Sequence, residues 1–190
     1  MSLLQYIFDY LVCNEILSIG DGLMGFCPLI RMGLNYFLKV DLRNKIMIVS
    51  NDHNLARRTK GIKVAFKKCD ACPTFRVRIG KKHYIKLPLD TGSPNLCTIP
   101  ANVLEKWGKV FKDKKVFDGI AEQFAIHDTT VCNIRALAYR CEFAIKSLNV
   151  KDALVIDDPF GYDSVGEEIF HYAVISFDPW HRKIIFQPYE

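Results

Sequence analysis

The length, composition and charge of this chain exclude several classes of protein. Its 190 residues can bury a hydrophobic core, and 49% hydrophobic with 25% charged residues is ordinary for a globular protein. The net charge of +5 comes from scattered basic residues without interleaved aromatics, and no uncharged apolar segment approaches the roughly 18 residues of a membrane span; we therefore expect neither a nucleic acid nor a membrane as partner.

The first pattern along the chain is a sequence repeat that occurs twice. Residues 21–48 contain an Asp, a short apolar step ending in Gly, a strand, a charged turn and a second strand, and residues 163–186 repeat that order. Asp41 and Asp178 end corresponding strands and begin the turns, where Asp is favoured because its side chain bonds the local backbone. The repeat predicts a duplicated structural unit, and chance similarity between two β-hairpins is the alternative.

Residues 51–73, between the two copies, are polar and basic and predict a linker. They include Cys69 and Cys72, whose CxxC spacing is that of a zinc knuckle. No second pair of cysteines or histidines follows at a usable distance, so free thiols are the better interpretation. We expect no metal and no cofactor.

A hairpin and a helix follow the linker. Residues 74–79 alternate between apolar and polar, residues 80–82 form a turn, and residues 83–89 return as a second strand. Residues 100–112 predict a helix, because Pro100 suits a first turn and apolar residues cluster on one face. That face consists of Val103, Leu104, Trp107, Val110 and Phe111.

Residues 113–160 are mostly strand-like. The segment 136–145 partly alternates, and residues 152–157 form a short strand of the buried type. Asp157 and Asp158 precede Pro-Phe-Gly and are interpreted as part of a solvated turn. Many short strands with little helix predict an all-β fold with a few short helices, built around a barrel-like lobe.

The residues that carry chemistry lie at the end of an apolar strand. That strand delivers the carboxylate of Asp90 into the turn Thr91-Gly92-Ser93. Gly92 permits close approach of a second chain segment. Ser93 can donate a hydrogen bond that orients the carboxylate, and Thr91 can anchor the turn to a neighbouring one. On these residues alone, an ordinary surface turn is the alternative.

The order of these elements resembles a lobe of the pepsin-like and retropepsin-like aspartic proteases, in particular the bacterial two-lobed enzymes. In that family a strand ends in Asp-Thr/Ser-Gly-Ala/Ser, an apolar-apolar-Gly segment packs beneath this turn, and a strand pair closes the lobe. Asp90–Ser93 corresponds to the first feature, Val165-Gly166 to the second, and residues 175–186 to the third. Ser164 departs from the pattern, since an apolar residue is usual there.

The resemblance divides the chain unequally. It implies a complete aspartic-protease-like lobe at residues 74–190 and the closing half of an incomplete first lobe at residues 1–50. Within the incomplete lobe, Leu23-Met24-Gly25 corresponds to the apolar-apolar-Gly segment. The first lobe's own Asp-Thr-Gly turn is missing, and the spacing in the second copy would place it roughly 50 residues before Met1. We interpret the chain as truncated, and natural loss of that turn is the alternative.

The missing turn matters because the family hydrolyses peptide bonds with two carboxylates. Placed about 3 Å apart, they share one proton, so that one activates water and the other acts as an acid. The resemblance implies an aspartic endopeptidase acting on a peptide or protein substrate, with Asp90 catalytic and Thr91, Gly92 and Ser93 supporting it. With one Asp, this chain is expected to be inactive alone. A catalytically dead peptide-binding or structural relative is the second hypothesis.

Two sources of the second carboxylate are open. A missing N-terminal lobe segment would supply it, or a homodimer would bring two copies of Asp90 together, as in retropepsin-like enzymes. Residues 1–50 argue against the homodimer, because they would occupy the side where the second lobe belongs. The family pattern also implies a β-hairpin flap over the cleft, at roughly residues 116–140.

Overall fold

The fold is built mainly from β-strands. The computed structural model describes residues 36–66, 73–91, 93, 95–111, 114–124, 131–158 and 163–190. In this described part, most residues are in strands, accompanied by two short α-helices and one 3₁₀ helix. The predicted all-β fold class with a few short helices is confirmed.

The described elements follow one another in this order along the chain. They are β1 (Phe37–Asp41), β2 (Ile46–Ser50), α1 (His53–Arg58), β3 (Ile62–Ala65), β4 (Thr74–Ile79), β5 (His83–Pro88), β6 (Cys97–Pro100), α2 (Ala101–Phe111), β7 (Lys115–Phe124), β8 (Val131–Ile145), β9 (Leu148–Asp158), β10 (Ser164–Val165), the 3₁₀ helix η1 (Glu167–His171), β11 (Ala173–Asp178) and β12 (Lys183–Pro188). The predicted hairpin corresponds to β4 and β5 and the predicted helix to α2. A β7–β8 hairpin lies in the region where the family pattern implies a flap.

The first sheet joins the two copies of the sequence repeat. Its strand order is β2-β1-β11-β12-β3, with every pair antiparallel. The corresponding strands β1 and β11 pair with each other, and Lys39 lies opposite Ser176. These residues hold the same position in the repeat, two before Asp41 and Asp178. Because the pairing is centred on equivalent residues, a local two-fold axis relates the β1–β2 hairpin to the β11–β12 hairpin.

The turns of these two hairpins share their local structure. Asp41 and Asp178 each accept a hydrogen bond, at 3.1 Å, from the backbone N–H three residues later. Four residues after each Asp, a residue with a side chain has a positive φ, 55° for Lys45 and 51° for Arg182. For these hairpins, the repeat in sequence is therefore also a repeat in structure.

The second sheet curls into a nearly closed barrel. Its strand order is β10-β6-β9-β8-β4-β5, with β7 added to β8. Leu89, immediately after β5, forms a parallel bridge to Val165 in β10, so the two ends of the sheet meet. This bridge is the seam of the barrel, and Asp90 is the next residue.

The barrel encloses the hydrophobic core, which continues beneath the first sheet. Side chains with at most 1% exposure from the strands, the loop before β6, α2 and η1 pack together in this core: Val77, Ile79, Leu87, Leu96, Ile99, Leu104, Phe143, Val155, Val165 and Ile169. Leu38, Phe177, Ile184 and Phe186 of the first sheet belong to the same cluster. Since each such side chain contributes roughly 1.5–3 kcal/mol on burial, the two sheets stabilise each other through one core.

The interpretation of Asp157 as part of a solvated turn is wrong. Asp157 lies in β9 with 7% of its surface exposed, and its carboxylate accepts a hydrogen bond from the backbone N–H of Leu137. β9 pairs with β6 on one side and β8 on the other. Strand β8 directly precedes β9, but β6 and the donor Leu137 are distant in sequence from Asp157. The local Asp-Asp-Pro pattern therefore carries no sign of them.

The segment predicted as a linker contains two elements. Asp52 caps α1 by accepting a hydrogen bond from the N–H of Asn54 at 2.8 Å, and β3 pairs along the edge of β12. The ring of His53 lies against those of Trp180 and His181, with centroids 5.2 and 4.8 Å apart. This segment therefore packs on the β11–β12 hairpin as well as connecting the two copies of the repeat.

Candidate active site

The turn that holds Asp90 leaves the barrel at its seam. Leu89 is 4% exposed, whereas the side chain of Asp90 is exposed. The backbone N–H of Asp90 donates a hydrogen bond to the carbonyl of Val165 at 2.9 Å. A buried strand thus fixes the backbone from which the carboxylate projects.

Further backbone hydrogen bonds hold the turn against the segment that follows β10. The N–H of Ser93 donates to the carbonyl of Asp90 at 3.2 Å, and the N–H of Glu167 donates to the carbonyl of Ser93 at 2.7 Å. The N–H of Gly166 donates to the carbonyl of Leu96 at 3.2 Å. The two chain segments are therefore joined at several successive residues.

Gly166 lies so close to the turn that no side chain fits. A Cβ atom at this position would be 2.1 Å from the carbonyl oxygen of Asn95 and 2.2 Å from that of Ser93. Both are backbone atoms, so relieving the clash would require the turn itself to move. Asp90, Ser93, Val165 and Gly166, four residues named from the sequence, are brought together here.

Of the other residues predicted for the site, the structure describes Thr91 but not Gly92 or the Leu23-Met24-Gly25 segment. Thr91 lies in the turn with a partly buried side chain. Gly92 lies outside the described residues, and so does the Leu23-Met24-Gly25 segment. Their predicted roles stay predictions.

Ser164, the residue that departs from the family pattern, is buried. It pairs with Thr98 of β6 and is 5% exposed. Among the described residues, the hydroxyl oxygen of Thr98 has no hydrogen-bond partner. Ser164 and Thr98 therefore form a buried polar pair. Burial usually favours apolar side chains at such a position.

Glu168 is a part of this site that sequence reasoning missed. Its carboxylate accepts a hydrogen bond from the N–H of Leu96 at 3.0 Å and another from the hydroxyl of Tyr172 at 3.3 Å. Burial, followed by the negative charge of Glu168, raises the pKa of Tyr172. The only sequence signal was an acid at the start of a helix, which the helix dipole explains equally well.

A buried thiol lies below the turn. Cys97 is fully buried, and it pairs with Val165 across β6 and β10. Burial raises the pKa of the Cys97 thiol well above its ordinary value. Because the thiolate is the nucleophilic form, we interpret Cys97 as a core residue, whereas the side chain of Asp90 is exposed.

Comparisons with known proteins add no family assignment. No protein-family model matches the chain, and no curated protein matches it. Among the described helices, none has the length and apolar character needed to cross a bilayer. Within the same residues, no three His, Cys, Asp or Glu side chains are grouped as metal ligands; Cys69 and Cys72 lie outside them.

Chemically, the arrangement presents one exposed carboxylate on a firmly held backbone. Such a group can accept a proton from water or a hydrogen bond from a peptide N–H. Peptide hydrolysis also needs a proton donor. The Asp-Thr-Gly sequence occurs once in the 190 residues, so the chain itself offers one carboxylate of this kind.

Proposed function

We propose that residues 74–190 form one lobe of an aspartic-protease-like peptidase in which Asp90 is one of two catalytic carboxylates. The observation that carries the proposal is the attachment of the Asp90 turn to Val165 and Gly166. A strand-end Asp held over a buried apolar-Gly segment, at the seam of a nearly closed barrel, is what the sequence resemblance implies. The closing β11–β12 hairpin completes the same order of elements.

The proposed reaction is hydrolysis of a peptide bond by water. Two carboxylates about 3 Å apart cannot both ionise, so they hold one proton between them. The ionised group takes a proton from the attacking water, and the neutral group donates its proton to the substrate amide. Asp90 supplies one of these groups, and the reaction as proposed uses neither metal nor cofactor.

The second carboxylate is proposed to come from a first-lobe segment outside the 190 residues. The two-fold relation between the hairpins supports this source, because the axis that relates β11–β12 to β1–β2 would also relate the Asp90 turn to a counterpart. Strand β1 already occupies the edge of β11. A homodimer formed through that edge is therefore disfavoured, and the chain alone is expected to be inactive.

The test is to read the open reading frame upstream of Met1 and to assay the extended polypeptide at acidic pH. If the added sequence contains an apolar strand ending in Asp-Thr/Ser-Gly, we expect pepstatin-sensitive cleavage of an unfolded protein substrate. Asp90→Asn should abolish that cleavage. The control Asp152→Asn, at an exposed carboxylate of β9, should retain it. Cleavage that survives Asp90→Asn would refute the proposal.

A catalytically dead peptide-binding relative is the second candidate. Three apolar side chains on β7 favour it, since Val116, Phe117 and Ile120 are 52%, 43% and 75% exposed. Phe117 and Ile120 lie on opposite faces of β7, and among the described strands β7 pairs with β8 alone. An extended peptide added along the outer edge of β7 could contact side chains on both faces. A start codon with a leader directly before Met1 would support this candidate. The chain should then bind peptides without cleaving them, and Asp90→Asn should leave that binding unchanged.

A further inference from the structure

Two histidines and a tryptophan meet where α1 packs on the β11–β12 turn. The ring centroid of His53, in α1, lies 4.8 Å from that of His181 and 5.2 Å from that of Trp180. All three side chains are partly buried, and Ala56 of α1 is 1% exposed. Because residues three apart lie on the same side of a helix, the side of α1 that packs on the protein carries a titratable group.

His181 has an acidic partner within its own turn. Its Nδ1 atom lies 2.6 Å from Oδ2 of Asp178, a residue that is 2% exposed. The two residues are three positions apart in the same turn, so their contact does not depend on α1. A proton on His181 is therefore balanced by the Asp178 carboxylate whether or not α1 is in place.

His53 differs, because a proton on its ring would lie among more basic than acidic groups. None of the ion pairs within the described part of the chain includes His53. The charged residues on α1 and on the segments that meet around it are Asp52, Arg57 and Arg58 at α1, Lys39 and Asp41 of β1, Lys63 of β3, and Asp178, Arg182 and Lys183 at the β11–β12 turn. The carboxylate of Asp178 already contacts His181, and that of Asp41 accepts hydrogen bonds from Asn44.

The turn related by the local two-fold axis closes without a histidine. There the side chain of Asn44 donates a hydrogen bond to Asp41 at 2.9 Å, and Asn44 holds the position that His181 holds after Asp178. An amide does not change its charge between pH 5 and 8, whereas histidine does. The β11–β12 turn thus carries a group that responds to pH where its counterpart does not.

We propose that His53 and His181 form a pH-sensitive contact, which holds α1 on the β11–β12 turn at neutral pH and releases it when both rings are protonated. Two like charges at the observed ring spacing repel each other. The released form takes up both protons freely and the packed form does not. The packing of α1 therefore weakens as the pH falls.

Release of α1 has a direct readout, because this helix has six residues. Helices shorter than about 12 residues are marginal in isolation, so α1 should unravel when it leaves the turn. The backbone N–H of Thr59 donates to the carbonyl of Leu55 at 3.1 Å, and that hydrogen bond breaks when α1 unravels. Hydrogen exchange of the Thr59 amide thus measures the ratio of released to packed α1, which is the opening constant.

The experiment follows exchange of this amide in the full chain by NMR, at about pH 7.5 and about pH 5.5, on either side of the ordinary pKa of histidine. Each rate is divided by the intrinsic exchange rate at that pH. We expect the opening constant to rise by about three- to tenfold at the lower pH, the upper limit being that of one imidazole protonated only in the released form. The amide of Gly80, which donates to Glu142 in the barrel, should show no comparable rise.

Three variants assign the effect to the histidine pair. His53→Gln removes the titratable group of α1, and His181→Asn reproduces the Asp41–Asn44 pair of the related turn. Each should reduce the rise to less than about twofold. The control His171→Gln, at an exposed histidine of η1, should keep the full rise.

The inference is overturned if the opening constant of the unmodified chain does not rise, or if either His53→Gln or His181→Asn keeps the full rise. A loss of the rise in His171→Gln would also overturn it, since the effect would then not belong to this pair. An equal rise at Gly80 would show that acid opens the whole protein, and it would overturn the assignment to α1.

Discussion

The fit between Gly166 and the Asp90 turn makes this glycine the most constrained single residue of the candidate site. Gly166→Ala would press a methyl group against the carbonyl oxygens of Ser93 and Asn95. We expect this variant to lower the free energy of unfolding by about 3 kcal/mol, measured by urea denaturation. Gly119→Ala is the matched control. Its Cβ would lie 3.0 Å from the ring of Phe117, which is exposed and can rotate away. Equal effects of the two substitutions would contradict the packing described here.

A second residue-scale prediction concerns the pH dependence conferred by Asp41. The pKa of Asp41 lies below its ordinary value of 3.8, mainly because the side chain of Asn44 donates a hydrogen bond to the carboxylate at 2.9 Å. Burial acts in the opposite direction and raises the pKa. The backbone N–H of Asn44 and the hydroxyl of Tyr189 lower it further. Because the folded-state pKa is the lower one, the stabilisation is complete above the unfolded-state pKa. It is lost as the pH falls through the folded-state pKa.

We therefore expect Asp41→Asn to make the fall in unfolding free energy below about pH 5 shallower. Asn44→Ala removes the main cause of the lowered pKa and should act in the same direction. Urea denaturation at a series of pH values measures both. A pH profile unchanged by either substitution would show that this carboxylate is not linked to folding.

At the scale of elements, the two hairpin turns repeat one unfavourable backbone conformation. Lys45 and Arg182 hold the left-handed region, which costs a residue with a Cβ about 1 kcal/mol and costs glycine little. We expect Lys45→Gly and Arg182→Gly each to raise the free energy of unfolding by up to about 1 kcal/mol. Lys183→Gly, one residue further along in β12, should instead lower it by about 0.5–1 kcal/mol. Destabilisation by all three would argue against the shared turn.

At the scale of the whole molecule, the pairing of β1 with β11 makes the two copies of the repeat parts of one sheet. Lys39 lies in the middle of β1, between β2 and β11. Lys39→Pro removes a ladder hydrogen bond, and we expect it to destabilise the protein by about 3 kcal/mol. Hydrogen exchange should then show reduced protection in β11 and β12 as well as in β1. Lys39→Ala is the control and should change stability little.

Two separate unfolding transitions, with β11 and β12 unaffected by Lys39→Pro, would contradict that expectation. They would show that residues 1–50 and 74–190 are independent folding units, as the sequence-based domain boundaries imply. A single transition at lower denaturant would show that the sheet couples them. This measurement therefore decides between one folding unit and two.

The sequence by itself determined what depends on neighbouring residues. Alternation predicted β4 and β5, an apolar face predicted α2, and Asp at a strand end predicted both hairpin turns, because each of these rules acts within a few positions. The Asp90 turn and Gly166 were found in the same way, since both are marked by short local motifs.

Only the tertiary structure decided what depends on residues far apart in the chain. Glu168 accepts a hydrogen bond from the N–H of Leu96, Asp157 is buried where β9 pairs with the distant strand β6, and β3 pairs along the edge of β12. The register of β1 against β11, in which Lys39 lies opposite Ser176, also depends on residues far apart in the chain. These hydrogen bonds and this burial depend on which distant segments pack together. The local sequence sets only the propensity of each residue, and that propensity carries no information about the partner segment.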